Sequence, residues 1–199
     1  KDMLLGALTS TSQSPYFSTP ETLLTIQDLL EESIGLSTGV LLSEQQSRMV
    51  SNIVSNLIEY SSQNDCKCNT TYCQQLENKT IEYLDAVSKS ILHEKLPGED
   101  PVVINTDLFD ILTAKATECT LQNVDLSQIG SQTPPITLFK EDQLDLDCER
   151  ELSIQMYSFN SREQIFNCDD ERVEKSRSNL MLKIKDLLTN TVLNSGIGI

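Results

Sequence analysis

The residues of this chain whose types and spacing are best suited to chemistry are six cysteines and the asparagines of two glycosylation sequons. The sequons are Asn69-Thr70-Thr71 and Asn78-Lys79-Thr80. The cysteines, three of which share residues 66–80 with both sequons, are Cys66, Cys68, Cys73, Cys119, Cys148 and Cys168. Cysteines grouped with sequons are typical of exported proteins, in which thiols pair and asparagine carries surface glycans. The pattern therefore predicts an extracellular or cell-surface protein, with disulfides among these cysteines and N-linked glycans on Asn69 and Asn78.

The distribution of the cysteines along the chain constrains how they pair. Three precede residue 98 and three follow it. If all six pair within the chain, an odd number of bridges joins the two halves, so at least one disulfide links them. A bridge between Cys66 and Cys68 would be strained, because a single residue separates them. We expect one of the two to pair with Cys73, and the spacing leaves the fifteen connectivities open.

The cluster of Cys66, Cys68 and Cys73 could instead hold zinc. Its spacing is C-x-C-x4-C, whereas a zinc knuckle usually opens with two intervening residues. A fourth ligand is missing nearby, and His93 would have to come from a distant part of the chain. We therefore expect disulfides rather than a zinc site.

Catalysis by a Ser-His-Asp or Cys-His set would depend on His93, the one histidine of the chain. Its place near the end of a predicted helix is explained by the helix dipole, which favours a histidine there. Glycoside hydrolysis would need a defined carboxylate pair, and none stands out among 30 acidic residues in a chain with 5% aromatics and no Trp. The His-Glu-x-x-His motif and a Gly-rich phosphate loop are absent from the sequence. The sequence therefore predicts a protein that is not an enzyme.

The net charge of −15 restricts the possible partners. A strongly acidic surface repels nucleic acid and anionic membranes. The sequence also lacks an apolar run of the roughly 18 residues that a membrane-spanning helix needs. We therefore expect neither nucleic-acid binding nor membrane insertion within this segment.

Calcium is the candidate cation. Asp142, Asp145 and Asp147 precede Cys148, and the acidic residues 169–171 follow Cys168. If those two cysteines were bonded, the two acidic groups would face each other and could bind calcium through oxygen ligands. The alternative is that both are solvated loops, and we predict no resident cofactor.

The first half of the chain is predicted to be helical. Ser18, Pro20 and Glu21 form a helix start, and Ser43 and Gln46 form a second capping box. Residues 1–19 are Ser/Thr-rich and are expected to be linker-like. A third helix is expected to end at Pro97-Gly98. The apolar positions of the second and third helices are Met49, Val50, Ile53, Val54, Leu57 and Ile58, and Leu76, Tyr83, Leu84, Val87, Ile91 and Leu92.

The second half is rich in strand-forming residues. Residues 102–104, 108–114 and 152–156 are predicted strands. A change of parity at residues 157–159 favours a bulge or a strand end. Residues 180–191 fit a strand and a helix equally well. Helices followed by strands predict an α+β fold, with a helical subdomain at 20–97 and a mostly antiparallel, β-sandwich-like subdomain at 98–199, stapled by disulfides.

The order of these segments is similar to a known family. The segments are TLLTIQDLL at residues 22–30, MVSNIVSNL at 49–57, VINTDLFDI at 103–111 and SNLMLKIKD at 178–186. They resemble the GAIN (GPCR autoproteolysis-inducing) fold and the related REJ-type region of adhesion receptors and polycystin-type proteins. The resemblance implies a helical subdomain followed by a twisted β-sandwich just outside the membrane, and makes residues 178–186 one of the later strands. The proteolysis triplet of that family, His-Leu-Thr or His-Leu-Ser, is not present, since His93 is followed by Glu94, so the resemblance implies no catalytic residue.

Together these features predict a structural or adhesion module of a large cell-surface protein. The sequence begins at Lys1 and stops at Ile199 without a signal or an anchor, so we expect it to be a segment of a longer chain. Its partners would be other proteins or neighbouring domains of that chain. One alternative is a secreted structural component of an extracellular assembly or filament. Another is a cytosolic helical scaffold with a Cys-rich zinc loop.

Overall fold

A computed structural model describes residues 1–14, 20–35, 41–63, 71–121, 124, 148–159, 180–186 and 192–195. Within them the chain is α+β, as predicted. The helices up to Ile91 belong to one compact unit, and the strands, with the chain from Leu92 that precedes them, belong to another. The elements in chain order are α1 (Asp2–Ser12), α2 (Pro20–Ile34), α3 (Glu44–Gln63), α4 (Thr71–Glu94), β1 (Val102–Asn105), β2 (Phe109–Thr117), β3 (Glu151–Phe159), β4 (Leu180–Asp186) and β5 (Val192–Ser195).

The helix α1 lies where the composition predicted a linker. Leu5, Leu8 and Ser12 follow one another at helical spacing and are buried. The Thr9 hydroxyl donates a hydrogen bond to the carbonyl oxygen of Leu5, one turn earlier, at 2.8 Å. Ser and Thr side chains can bond in this way within a helix. The linker prediction is therefore wrong for Asp2–Ser12, because hydroxyl side chains of this segment bond within the helix while Leu5 and Leu8 are buried.

Polar contacts also hold α1 and the residues after it against α3. The Asn56 amide donates to the Ser12 hydroxyl at 2.8 Å. The Tyr60 hydroxyl donates to the carbonyl oxygen of Ser14 at 2.8 Å. These hydrogen bonds fix the end of α1 along the second half of α3.

The start of α3 and its apolar face match the sequence prediction. The Gln46 N–H donates to the Ser43 hydroxyl at 3.3 Å, and the Ser43 N–H donates to Gln46 Oε1 at 3.1 Å. This reciprocal pair is a capping box. Five predicted positions of the apolar stripe are buried, and they are Val50, Ile53, Val54, Leu57 and Ile58.

The ends of α2 and α4 follow from glycine and proline chemistry. Gly35 adopts φ 64° directly after α2, and its N–H donates to the carbonyl oxygen of Glu31 at 3.0 Å. The helix α4 ends at Glu94, before the predicted end at Pro97. The ring of Pro97 disfavours the helical conformation of the preceding residue, Leu96. All six predicted apolar positions of α4 are buried.

The described strands form one antiparallel sheet in which each strand pairs with the next along the chain. The strands β2 and β3 pair from Phe109 opposite Phe159 to Thr117 opposite Glu151. The pairing of β3 with β4 makes Leu180–Asp186 a strand, which resolves the ambiguity of this segment. A register shift occurs between Ile184 and Lys185 where β4 pairs with β5.

The central strands β2 and β3 are buried on both faces. Phe109, Ile111, Tyr157 and Phe159 lie on one face and are at most 3% exposed. This explains the change of parity near the end of β3, because a strand covered on both faces need not alternate apolar and polar residues. The register continues to Phe159, where β3 ends, so the predicted bulge is wrong and the predicted strand end is confirmed. The opposite face forms a core of Leu112, Ala114, Ala116, Leu121, Leu152, Ile154 and Met156.

Candidate functional site

A disulfide joins Cys119 and Cys148 beside the pairing of β2 with β3. Their Cα atoms are 5.0 Å apart, although the residues are 29 positions apart in sequence. Cys119 lies shortly after the end of β2 at Thr117, and Cys148 shortly before the start of β3 at Glu151. The bond therefore closes the loop that connects β2 to β3, at the end of the sheet where the pairing of these strands stops.

Two noncovalent contacts reinforce this closure. Arg150 Nη1 lies 2.7 Å from Glu118 Oε1, and the two side chains are 34% and 15% exposed. The Glu118 N–H also donates a hydrogen bond to the carbonyl oxygen of Arg150 at 3.3 Å. A partly buried Arg–carboxylate pair is stronger than one exposed to solvent. We call Glu118, Cys119, Cys148 and Arg150 the sheet-end clasp.

A turn positions Cys119 within the clasp. The Thr117 N–H donates to the Thr120 hydroxyl at 2.8 Å, and the Thr120 N–H donates to the carbonyl oxygen of Thr117 at 3.1 Å. A Thr hydroxyl commonly orders a turn in this way. The reciprocal bonds form a turn after β2 and bring Cys119 towards Cys148 and Arg150, which precede β3.

Sequence reasoning did not find the clasp, although the sequence contains a signal for it. Glu118 precedes Cys119, and Arg150 closely follows Cys148, so residues of opposite charge flank two cysteines of the strand half. The calcium argument assumed a bond between Cys148 and Cys168, and that assumption is wrong because Cys148 is bonded to Cys119. Asp142, Asp145 and Asp147 lie outside the described residues. Among the side chains that the structure does describe, no group of three or more His, Cys, Asp or Glu could hold a metal ion.

The second sequon lies within α4. Asn78 is exposed, whereas Thr80 is fully buried. The Thr80 hydroxyl donates to the carbonyl oxygen of Leu76 at 2.8 Å. Residues two positions apart in an α-helix point in nearly opposite directions, at about 100° per residue. The amide and the hydroxyl of this sequon are therefore on opposite sides of the helix.

Lys79, between these two residues, joins α4 to α2. Its ammonium group lies 3.4 Å from Glu31 Oε2 and 3.1 Å from Glu82 Oε2. The hydrogen bond with Glu82 is the largest cause that raises the pKa of Lys79, burial lowers it, and the charge of Glu31 raises it. The lysine is one third exposed, so solvent weakens both ion pairs.

Glu31 is the acceptor at the centre of the contact between α2 and α4. The Tyr83 hydroxyl donates to Glu31 Oε1 at 3.1 Å, and the Gln27 amide nitrogen donates to the same oxygen at 3.3 Å. Burial raises the pKa of Tyr83 well above its ordinary value of 10.0, and the negative charge of Glu31 raises it further. With Lys79 on the other carboxylate oxygen, these bonds fix the packing of the two helices. We call Gln27, Glu31, Lys79 and Tyr83 the α2–α4 polar cluster.

A pair of buried polar side chains lies in the middle of the sheet. Thr113 and Gln155 are register partners on β2 and β3 and are 0% and 2% exposed. The hydroxyl oxygen of Thr113 and Oε1 of Gln155 have no hydrogen-bond partner among the described residues. Such burial costs stability without providing reactive geometry, so we do not assign the pair a chemical role.

Two other predicted site residues, His93 and Cys73, lie among the residues that the structure describes. His93 is exposed near the end of α4. Cys73 lies in the first turn of α4, in the same helix as the second sequon. The remaining predicted residues, which lie outside the described part of the chain, are Cys66, Cys68, Asn69 and Cys168.

Residues 35–39 match the G-x-S-x-G pattern of a hydrolase nucleophile elbow. In that elbow the serine lies on a sharp turn between a strand and the following helix. Here Gly35 directly follows α2, and α3 begins at Glu44, so the pattern joins two helices. Its context is therefore not that of an elbow, and the match carries no catalytic assignment.

In the part of the chain that the structure describes, no helix combines the length and the apolar character needed to cross a bilayer. The chain is thus defined by a helical unit, an antiparallel sheet and a disulfide-closed sheet end. No protein-family model and no curated protein matches its sequence.

Proposed function

We propose that this protein is a non-enzymatic structural or adhesion module of a larger extracellular or cell-surface protein, with an organisation similar to the GAIN and REJ-type regions of adhesion receptors and polycystin-type proteins. Its partners are other proteins or neighbouring domains of the same longer chain. Its β-rich unit is one layer of a sandwich-like subdomain, and Asn69 and Asn78 carry N-linked glycans.

The sheet-end clasp is the observation that carries the proposal. Disulfides form and persist in oxidising compartments and are rare in the cytosol. The Cys119–Cys148 bond is supported on both sides by Glu118 and Arg150, and the turn through Thr120 presents Cys119 to it. Because an ion pair and an ordered turn lie directly beside this disulfide, we infer that the bond is part of the native fold.

The position of the second sequon and the charge of the chain give independent support. Asn78 is exposed on α4, so a glycan there would extend into solvent without disturbing the buried face. The net charge of −15 suits a protein that stays soluble outside the cell and avoids anionic surfaces. The order of a helical unit before an antiparallel sheet also agrees with the organisation of the family that the sequence resembles.

The intact mass of the protein from its native source, alkylated without reduction, tests the proposal. We expect a mass above 22.3 kDa with hexose-spaced heterogeneity and no alkylation of Cys119 or Cys148. A parallel sample that is reduced before alkylation is the control, because it shows that the reagent reaches all six cysteines. A homogeneous mass near 22.3 kDa plus six alkyl groups, without prior reduction, would contradict an exported module.

A further inference from the structure

We infer that Asn78 accepts its glycan only before α4 folds, so that occupancy at this site records the order of modification and folding. The inference rests on the proposed function, since it concerns an exported chain that meets the glycosylation machinery. It follows from the geometry of the sequon within α4, and in particular from the position of the Thr80 hydroxyl.

The reaction requires two groups of the sequon at once. A bond forms between Asn78 Nδ2 and the anomeric carbon of a lipid-pyrophosphate-linked oligosaccharide. The bond from that carbon to the pyrophosphate oxygen breaks, the lipid pyrophosphate leaves with the electron pair, and the amide loses a proton. Because the acceptor sequence is defined by a hydroxyl residue two positions after the asparagine, the enzyme must contact both Asn78 and Thr80.

The folded helix separates these two groups. Asn78 faces solvent, whereas Thr80 is 0% exposed and its hydroxyl is engaged with the carbonyl oxygen of Leu76 at 2.8 Å. The two side chains project about 200° apart around the helix axis. An enzyme that approaches Asn78 from solvent therefore cannot reach the Thr80 hydroxyl.

Exposing Thr80 requires more than fraying of the helix. The residue lies well inside α4, and the next residues along the buried face, Tyr83 and Leu84, are also buried. Lys79 and Tyr83 additionally bond to Glu31 of α2. Opening must therefore detach α4 from α2, and unfolded fractions of about 10⁻³ or less predict glycan transfer slowed about 1,000-fold or more.

The finished glycan is compatible with the folded helix, although its attachment is not. The Asn78 side chain lies opposite the buried face, so a sugar on Nδ2 extends away from the helical core. A chain modified before folding can thus fold with its glycan in place, whereas a chain that folds first stays unmodified. Once α4 has folded, the presence or absence of a glycan on Asn78 no longer changes.

In vitro transfer with a purified oligosaccharyltransferase and its lipid-linked donor tests the inference. The full chain carries N69Q, so that every added glycan reports on Asn78. Three acceptors are compared at equal concentration: the folded N69Q chain, the same chain with V87D to disrupt the buried face of α4, and a peptide of residues 74–84. Val87 is 0% exposed and lies outside the sequon.

We expect transfer to the peptide and to the V87D chain, and at least about 1,000-fold slower transfer to the folded chain. Equal rates on the folded chain and the peptide would overturn the inference. Absence of transfer to both the peptide and the V87D chain would also overturn it, because Asn78 would then not be an acceptor. Failure of the proposed function has a different result: the native protein lacks glycans while the difference between the folded and unfolded acceptors persists.

Discussion

Removing the Cys119–Cys148 disulfide should destabilise the sheet unit selectively. The perturbation is the double variant C119S/C148S. Each sulfur atom is replaced by a hydroxyl oxygen, and Glu118 and Arg150 keep their ion pair. A sequence separation of 29 means that the bond closes a loop of about 30 residues in the unfolded chain. The loop-closure relation then gives a loss of about 3.6 kcal/mol in the free energy of unfolding.

Hydrogen exchange measured by mass spectrometry suits this test because it reports on each unit separately. A single unfolding curve would merge the helical unit and the sheet unit, which need not unfold together. Each 1.4 kcal/mol is a factor of ten, so peptides from β2 and β3 should exchange about 400-fold faster in the double variant. Peptides from α3 should keep their protection.

The variant E118Q is the matched control for the clasp. It removes the charge of the ion pair with Arg150 but leaves the disulfide intact. Its expected cost is about 1 kcal/mol, or roughly fivefold faster exchange in β2 and β3. The reasoning is refuted if exchange in these strands accelerates less than tenfold in C119S/C148S, or if E118Q has as large an effect as the double variant.

Three further predictions concern other parts of the molecule. Y83F should lower the stability of the helical unit by about 1 kcal/mol in urea unfolding followed by circular dichroism, because a hydrogen bond to Glu31 is lost. Above pH 10.0 unfolded chains release the Tyr83 proton while folded chains retain it, so the free energy of unfolding falls as pH rises. Lys79, whose pKa is also raised, adds to this fall. An equal fall in Y83F would contradict a role for Tyr83. T113V should stabilise the sheet unit by about 1 kcal/mol, since its buried hydroxyl oxygen has no partner among the described residues, and faster exchange in β2 would contradict this. Peptide mapping without reduction should link Cys168 to Cys66, Cys68 or Cys73, because the Cys119–Cys148 bond leaves Cys168 as the third cysteine of the strand half; an alkylated Cys168 would contradict full pairing.

Elements with a wide apolar stripe could be predicted from the sequence. The stripe from Val50 to Ile58 and the capping box at Ser43 determine α3 locally, because both depend on residues a few positions apart. By contrast, α1 buries only Leu5, Leu8 and Ser12. Its narrow apolar face and its many hydroxyl groups are also what a linker contains, so local sequence could not distinguish the two.

Features that depend on distant partners could not be predicted from residue spacing, although the family resemblance did imply a strand at residues 178–186. Leu180–Asp186 becomes a strand because β3 provides a paired edge, and residue spacing within the segment contains no information about that edge. The α2–α4 polar cluster joins Glu31 to Tyr83 across two helices, and neither residue is unusual in its own segment. The choice of Cys148 as the partner of Cys119 likewise depends on the β2–β3 register, which brings the two strand ends together.

The disulfide of the sheet-end clasp also sets how far the chain can lengthen under tension. A fully extended chain gains about 3.4 Å per residue, and the bond spans 29 positions. When both are unfolded and stretched, the oxidised chain would thus be shorter by about 90 Å than the reduced chain. The reason is that the disulfide carries the force, so the segment between the two cysteines is not extended. Oxidation of this pair of thiols therefore limits the extended length of the unfolded chain when force is applied through its ends.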